Sequence, residues 1–92
     1  MQADLYSELA KLFKETIEGH KQAFAETEGY DPDWPIWYAE QLHAPLSALL
    51  QAKFTRSELV YLLVRVEKER QLEAPGAEWT GYYARFFLER YD

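Results

Sequence analysis

Proline and glycine interrupt this chain at only a few places, and the interruptions limit the number of regular elements that it can form. Clear breaks fall at residues 29–35 and 74–76, and Pro45 is a weaker one. Between the breaks, apolar side chains recur every three or four residues, which is the spacing of an amphipathic helix. The sequence therefore predicts one all-α domain over residues 1–92, a compact four-helix bundle with helices at about 3–27, 34–51, 55–72 and 77–91.

The first segment has a leucine- and phenylalanine-rich stripe, with lysine and glutamate on the opposite side. His20 projects into the middle of this stripe. Gly19 lies near its edge, and glycine costs a helix interior about 1 kcal/mol. Gly19 therefore marks a close helix crossing, a kink or a position with no special role.

The second helix is expected to begin near Trp34. Asp33 is predicted to cap it through its side chain, and Pro35 lacks the N–H group that would be unpaired there. Pro45 removes one backbone hydrogen bond and crowds the preceding turn. It predicts a kink, or a break into two short helices.

The third helix has the best start signal in the chain, because Thr55 and Glu58 are spaced as a capping box. The residues that follow, 59–66, are rich in β-formers and could also form a strand. The capping box, the helical pattern of residues 67–72 and the lack of a second strand favour a helix. Such a helix has two apolar faces, one with Leu59, Leu62, Leu63 and Val66, the other with Val60, Tyr61 and Val64.

Three Trp, seven Tyr and five Phe predict an aromatic core that includes Trp34, Trp37 and Trp79. The register Trp34-x-x-Trp37-Tyr38-Ala39 returns at Trp79-x-x-Tyr82-Tyr83-Ala84. The preceding helices do not align at that offset. We therefore favour two helices that pack alike over an internal duplication.

Sixteen acidic and ten basic residues give a net charge of −6, which disfavours binding to nucleic acid or to anionic membranes. The chain has no cysteine, so disulfides and thiolate catalysis are excluded. Its longest apolar run, residues 59–64, is too short to span a bilayer. The first residues lack the basic and apolar regions of a secretory signal, and we expect a cytoplasmic protein.

Three groups of residues are candidates for chemistry. Glu40 and His43 have the spacing of a ferritin-like metal motif, but the motif occurs once instead of twice, and we interpret it as a solvated pair. The segment 31–35 could be a recognition loop or half of a cation site, but turn formation and helix capping explain it better. His20 could form a pocket with Tyr38 and Tyr83; the alternative is a core histidine bonded to a tyrosine hydroxyl or a carbonyl.

Residues 31–39 read Asp31-Pro32-Asp33-Trp34-Pro35-Ile36-Trp37-Tyr38-Ala39. This run resembles a tryptophan-rich signature of small, uncharacterised bacterial helical proteins. The resemblance implies a bacterial, cytoplasmic, helical protein. It implies no activity, substrate or catalytic residue.

The sequence contains no recognisable catalytic constellation, and we expect no enzyme activity, cofactor or metal. The favoured function is a protein-interaction module that binds a protein partner or a second copy through Val60, Tyr61 and Val64. This function requires the second face of the third helix to be exposed. The sequence slightly favours the alternative, in which another helix of the chain covers that face. The alternative function is a small-molecule or metal-binding accessory protein with a pocket near His20.

Overall fold

A computed structural model of the protein describes residues 4–28, 31–76 and 78–91. These residues form four α-helices and no strand: α1 Leu5–Ala23, α2 Trp34–Leu50, α3 Arg56–Glu73 and α4 Trp79–Tyr91. The all-α four-helix bundle is thereby confirmed. The starts predicted at positions 3 and 77 lie outside the described residues.

The helices begin where side chains accept hydrogen bonds from free backbone N–H groups. Asp4 caps α1 by accepting from Tyr6 N–H at 3.1 Å. The predicted capping box of α3 is confirmed: Glu58 N–H donates to Thr55 Oγ1 at 3.0 Å, and Thr55 N–H donates to Glu58 Oε1 at 2.7 Å. Glu78 caps α4 by accepting from Gly81 N–H at 3.0 Å.

The cap predicted for α2 is wrong, because the side chain of Asp33 makes no capping hydrogen bond. The preceding turn is instead organised by Asp31, whose Oδ1 accepts from Asp33 N–H at 3.1 Å and whose carbonyl accepts from Trp34 N–H at 3.1 Å. This side-chain turn directs Asp31, not Asp33, toward the free N–H groups.

The first helix ends earlier than predicted. Its α-helical part stops at Ala23, and residues Ala25–Thr27 form a tighter 3₁₀ turn. Glu28 follows in the left-handed conformation with φ 57°, which turns the chain away from the helix axis. Short 3₁₀ turns are common at helix ends because they pair the last free carbonyls.

Pro45 lies inside α2, which continues through it as one helix to Leu50. The expected break into two helices therefore does not occur. Buried leucines stand on both sides of the proline, at Leu42, Leu46 and Leu50. Their burial outweighs the single backbone hydrogen bond that proline removes.

The core is formed mainly by leucine and phenylalanine from all four helices. Phe13 of α1 lies at its centre, with ring centroids 5.6 Å from Tyr83 and 5.7 Å from Phe87 of α4. The most extensive helix contacts are those of α1 with α4 and of α2 with α3. Smaller contacts between α1 and α2 and between α3 and α4 complete the bundle. Trp34, Trp37 and Trp79 are half-buried; Trp34 and Trp79 lie at the margin of this core, and Trp37 packs on His20 and Phe24.

Within the described residues, no helix is long and apolar enough to cross a membrane.

Candidate functional site

A cavity of about 460 Å³ opens between the helices and receives side chains from each of them. The structure brings the three pocket residues suggested by the sequence, His20, Tyr38 and Tyr83, to this one cavity. It is lined by Phe13, Ile17, His20 and Lys21 of α1, Glu28 and Asp31 of the following loop, Trp34, Tyr38 and Leu42 of α2, Leu63, Glu67, Arg70 and Gln71 of α3, and Trp79 and Tyr83 of α4.

His20 is 6% exposed and lies between two aromatic rings. Its imidazole stacks on Phe24, with centroids 4.6 Å apart, and on Tyr38, with centroids 4.9 Å apart. Trp37 meets the ring by its edge at 5.0 Å. The imidazole is thus held by stacking, and only its nitrogens are left for polar contacts.

The polar partner of His20 is Asp31, whose Oδ2 lies 3.2 Å from Nε2. As a core residue, His20 was expected to bond to a tyrosine hydroxyl or a carbonyl. That expected partner is wrong, because the nitrogen faces Asp31 instead. Both side chains are almost completely buried, at 8% and 9% exposure. Asp31 therefore has two roles, because it shapes the turn before α2 and faces the imidazole inside the cavity wall.

Tyr38 presents a hydroxyl that forms no hydrogen bond with any residue in 4–28, 31–76 or 78–91. Burial, with a smaller contribution from the negative charge of Asp31, raises its pKa to about 12. Tyr38 is therefore a neutral hydroxyl at physiological pH, available to donate to a bound molecule.

Tyr83 donates to Glu67 Oε1 at 2.7 Å and so links α4 to α3. Burial raises the pKa of Tyr83, and the bond to Glu67 raises it further. Burial opposes the charge on Glu67 as well, but the hydrogen bonds from Arg70, Tyr83 and Gln71 prevail and hold its pKa below the ordinary value. Arg70 also forms an ion pair with this carboxylate and donates from Nη2 to Glu67 Oε2 at 2.7 Å.

In the cavity wall, the ring of Tyr38 meets those of the two lining tryptophans nearly at right angles. Tyr38 lies between two tryptophans, with Trp34 at 5.8 Å and an interplanar angle of 74°, and Trp79 at 6.5 Å and 88°. Trp79 in turn packs against Tyr83, with ring centroids 4.8 Å apart. Edge-to-face packing of this kind holds each ring in one orientation.

His43 is not the solvated residue that the sequence suggested. It is half-buried, donates from Nε2 to the carbonyl of Phe54 at 2.6 Å and meets the Phe54 ring edge-on. Glu40 remains exposed. His43 therefore fastens the α2–α3 connection, and Glu40 takes no part. Across the described residues, no group of three or more His, Asp or Glu side chains could hold a metal ion.

A second groove, of about 510 Å³, lies over α3 and α4. It contains four glutamates, but three already have partners: Glu69 pairs with Arg65, Glu73 accepts from Tyr82, and Glu78 caps α4. The remaining lining residues are Tyr6, Gly81, Arg85, Phe86 and Glu89. Its carboxylates are largely engaged within the chain, and the groove offers few free polar groups.

The second apolar face of α3 is exposed, so its expected coverage by another helix is wrong. Tyr61 is 60% exposed and Val64 is 38% exposed, whereas Val60 is half-buried against the core. Leu72, at 84%, extends the same side of the helix by three turns. The partners of α3 are α2 and α4, and both pack on its Leu59–Val66 side.

Sequence reasoning missed Asp31 as the partner of His20 and the set Glu67, Arg70 and Gln71. Asp31 lies 11 residues from His20, and Glu67 lies 16 residues from Tyr83; in both pairs the two residues belong to different elements. Arg70 and Gln71 contact Glu67 on their own helix. A weak signal was available, since Glu67, Arg70 and Gln71 share an i, i+3, i+4 spacing that allows them to pair on one helix face.

Comparison of the chain with protein-family models, with curated proteins and with solved structures gave no match. The resemblance of residues 31–39 to small bacterial helical proteins therefore stays a prediction.

Proposed function

We propose that the protein binds a small molecule in the cavity between its four helices. One observation carries the proposal: aromatic walls and a tyrosine hydroxyl, which has no hydrogen-bond partner among the described residues, converge from different helices on one cavity of about 460 Å³. Ligand sites are typically concave, mostly apolar and supplied with a few fixed polar groups, with volumes of about 300–1,000 Å³.

The position of the tryptophans makes the proposal testable. Trp34 and Trp79 line the cavity, whereas Trp37 packs outside it against His20 and Phe24. A compound library is first screened by melting temperature, because a ligand of the folded state raises it. Compounds that raise it are expected to shift the indole N–H signals of Trp34 and Trp79 in NMR spectra more than that of Trp37.

Tyr38→Phe removes the hydroxyl and keeps the ring. We expect polar ligands to bind about tenfold more weakly to this variant, as for the loss of one hydrogen bond. Tyr61→Phe, at an exposed position on α3, is the matched control and leaves the affinity unchanged. The proposal fails when no compound raises the melting temperature, or when those that do leave Trp34 and Trp79 unshifted.

A second candidate function is self-association through the exposed face of α3, defined by Tyr61, Val64 and Leu72. Exposed apolar side chains grouped on one helix favour it. We take a second copy of the chain as the partner, because α3 has four basic and four acidic residues and is neutral within a chain of charge −6. Two copies can approach through α3 with little repulsion.

Light scattering after size exclusion, over a range of protein concentrations, tests this second function. We expect a dimer whose population falls in Tyr61→Glu and stays unchanged in Ala48→Glu, which adds the same charge on the exposed side of α2. A monomer at every concentration contradicts it. The cytoplasm is the location that we propose for either function, on the sequence argument alone.

A further inference from the structure

We infer that the ligand of the cavity is an organic cation, an amine or quaternary ammonium with apolar substituents. This inference rests on the proposed ligand-binding function and adds the class of ligand. It comes from the ring geometry of the walls and from the distribution of charge along the chain.

The first observation is the arrangement of Trp34, Tyr38 and Trp79. Successive rings in this set meet at 74° and 88°, so the walls they form are perpendicular instead of stacked. The face of an aromatic ring has negative electrostatic potential and attracts a cation within about 6 Å of its centre. Tryptophan, the strongest of these rings in that respect, supplies two of the three walls.

The second observation is the position of the negative charge. Glu26, Glu28, Asp31 and Asp33 all lie in residues 24–33, which contain no lysine, arginine or histidine. Two of them, Glu28 and Asp31, line the cavity. One short segment thus contains four of the sixteen acidic residues of the chain, and two of the four reach the cavity. Charge of one sign beside a low-dielectric wall attracts ions of the opposite sign.

The basic residues of the cavity do not reverse this balance. Arg70 is held by Glu67 through two hydrogen bonds, at 2.7 and 3.1 Å. His20 is paired with Asp31. Lys21 and Glu28 are both exposed, so water screens the two opposite charges alike. With His20 counted as neutral, the lining has three carboxylates, Glu28, Asp31 and Glu67, against the two cationic side chains Lys21 and Arg70, so one negative charge is in excess.

Three small probes with nearly the same apolar group separate the effect of charge from that of shape. Choline is cationic, 3,3-dimethyl-1-butanol is its neutral carbon analogue, and 3,3-dimethylbutanoate is anionic. Each is titrated at low salt while the indole N–H signals of Trp34 and Trp79 are followed by NMR. We expect the dissociation constant of choline to be about tenfold lower than that of the neutral analogue, and the anion to bind weakest.

Glu28→Gln tests the charge without changing the rings. Glu28 is exposed, so its replacement leaves the fold intact, and choline is expected to bind about two- to threefold more weakly. The neutral analogue is unaffected. Glu40→Gln, at an exposed acid outside the cavity, is the matched control and changes neither affinity.

Trp79→Leu tests the rings, with Trp37→Leu as the control outside the cavity. Choline affinity is expected to fall in the first variant only; the Glu28→Gln comparison decides the matter when either variant fails to fold by circular dichroism. Tighter binding of the neutral or anionic probe overturns the cation inference and leaves ligand binding standing. Absence of any shift from these probes overturns it too, and the compound library then decides whether the cavity binds ligands at all.

Discussion

Tyr38 and Tyr83 line the same cavity from α2 and α4, and burial favours the neutral form of both. The pKa of Tyr38 rises from 10.0 to about 12 on folding. The stabilisation is therefore fully present below pH 10 and is lost as the pH rises through the folded value, because the unfolded state then releases protons more readily. The fold should lose stability steeply between these two pH values.

Tyr38→Phe removes one of these protons, so its unfolding free energy should fall less steeply with pH than that of the unsubstituted protein. Urea unfolding at several pH values from 8 to 12 measures the slope. Tyr61→Phe, at an exposed position, is expected to follow the unsubstituted protein. Equal slopes for all three proteins would show that Tyr38 is not buried as described.

Gly19 and Gly81 differ in what an added methyl group would contact. A Cβ at Gly19 would lie 3.7 Å from the tip of the Trp37 ring, whereas one at Gly81 would lie 2.6 Å from the Tyr6 hydroxyl. Gly19→Ala should raise the unfolding free energy by up to about 1 kcal/mol, because alanine favours the helix. Gly81→Ala should lower it by about 1 kcal/mol through overpacking.

Combining Gly81→Ala with Tyr6→Phe removes the clash, since the next ring atom of Tyr6 lies 3.8 Å away. We expect the double variant to regain the stability that the single one loses. Urea denaturation measures the unfolding free energy of the unsubstituted protein, the two single alanine variants and the double variant. A Gly81→Ala variant as stable as Gly19→Ala would contradict the close contact between α1 and α4.

At the scale of the elements, helix α3 depends on its first turn. Thr55 and Glu58 exchange two hydrogen bonds there, and α3 is the helix with charged residues along most of its exposed side. Thr55→Ala should lower the unfolding free energy by about 1 kcal/mol. Glu58→Ala should act in the same direction, and the double variant should lose less than the sum, because each substitution already breaks the shared box.

Ser57→Ala is the control in the same turn, because Ser57 is exposed and is not a member of the box. Thermal unfolding followed by circular dichroism compares the four variants. Strict additivity of the two box substitutions would mean that Thr55 and Glu58 act independently.

The capping box was predictable because its two residues lie three apart and bond to each other. The α2 cap was not, because Asp31 and Asp33 compete for the same turn and only the three-dimensional path of the chain selects Asp31. A short sequence motif predicts a helix end well when the two residues that bond to each other are both within the motif. Such motifs fail at Tyr61 and Val64, whose exposure depends on how α3 is rotated against α2 and α4.

The candidate site was predictable in the same partial way. His20, Tyr38 and Tyr83 lie on apolar faces of amphipathic helices, so their convergence on the interior follows from periodicity. The pairs that define the chemistry of the cavity, His20 with Asp31 and Tyr83 with Glu67, join different elements. No pattern in one sequence specifies which acid reaches which ring, since that choice depends on helix packing.

At the scale of the whole molecule, Glu67 joins α3 to α4, which is the least extensive of the four main helix pairings. Glu67 accepts hydrogen bonds from Tyr83 across that contact and from Arg70 and Gln71 on its own helix. Its side chain lies in the cavity wall, so the same carboxylate supports the fold and the candidate site. The protonation state of Glu67 should therefore affect the stability of the entire bundle.

The pKa of Glu67 is lower in the folded protein than its ordinary value of 4.5. Its contribution to stability is thus present above pH 4.5 and is lost as the pH falls through the lower, folded value. Glu67→Gln should be less stable than the unsubstituted protein at pH 7, and its stability should fall less on acidification. Urea unfolding between pH 7 and pH 3 tests this, with the exposed Glu40→Gln expected to follow the unsubstituted protein at every pH. Should Glu67→Gln lose stability in acid as steeply as Glu40→Gln, the contacts of Glu67 would not lower its pKa in the folded protein.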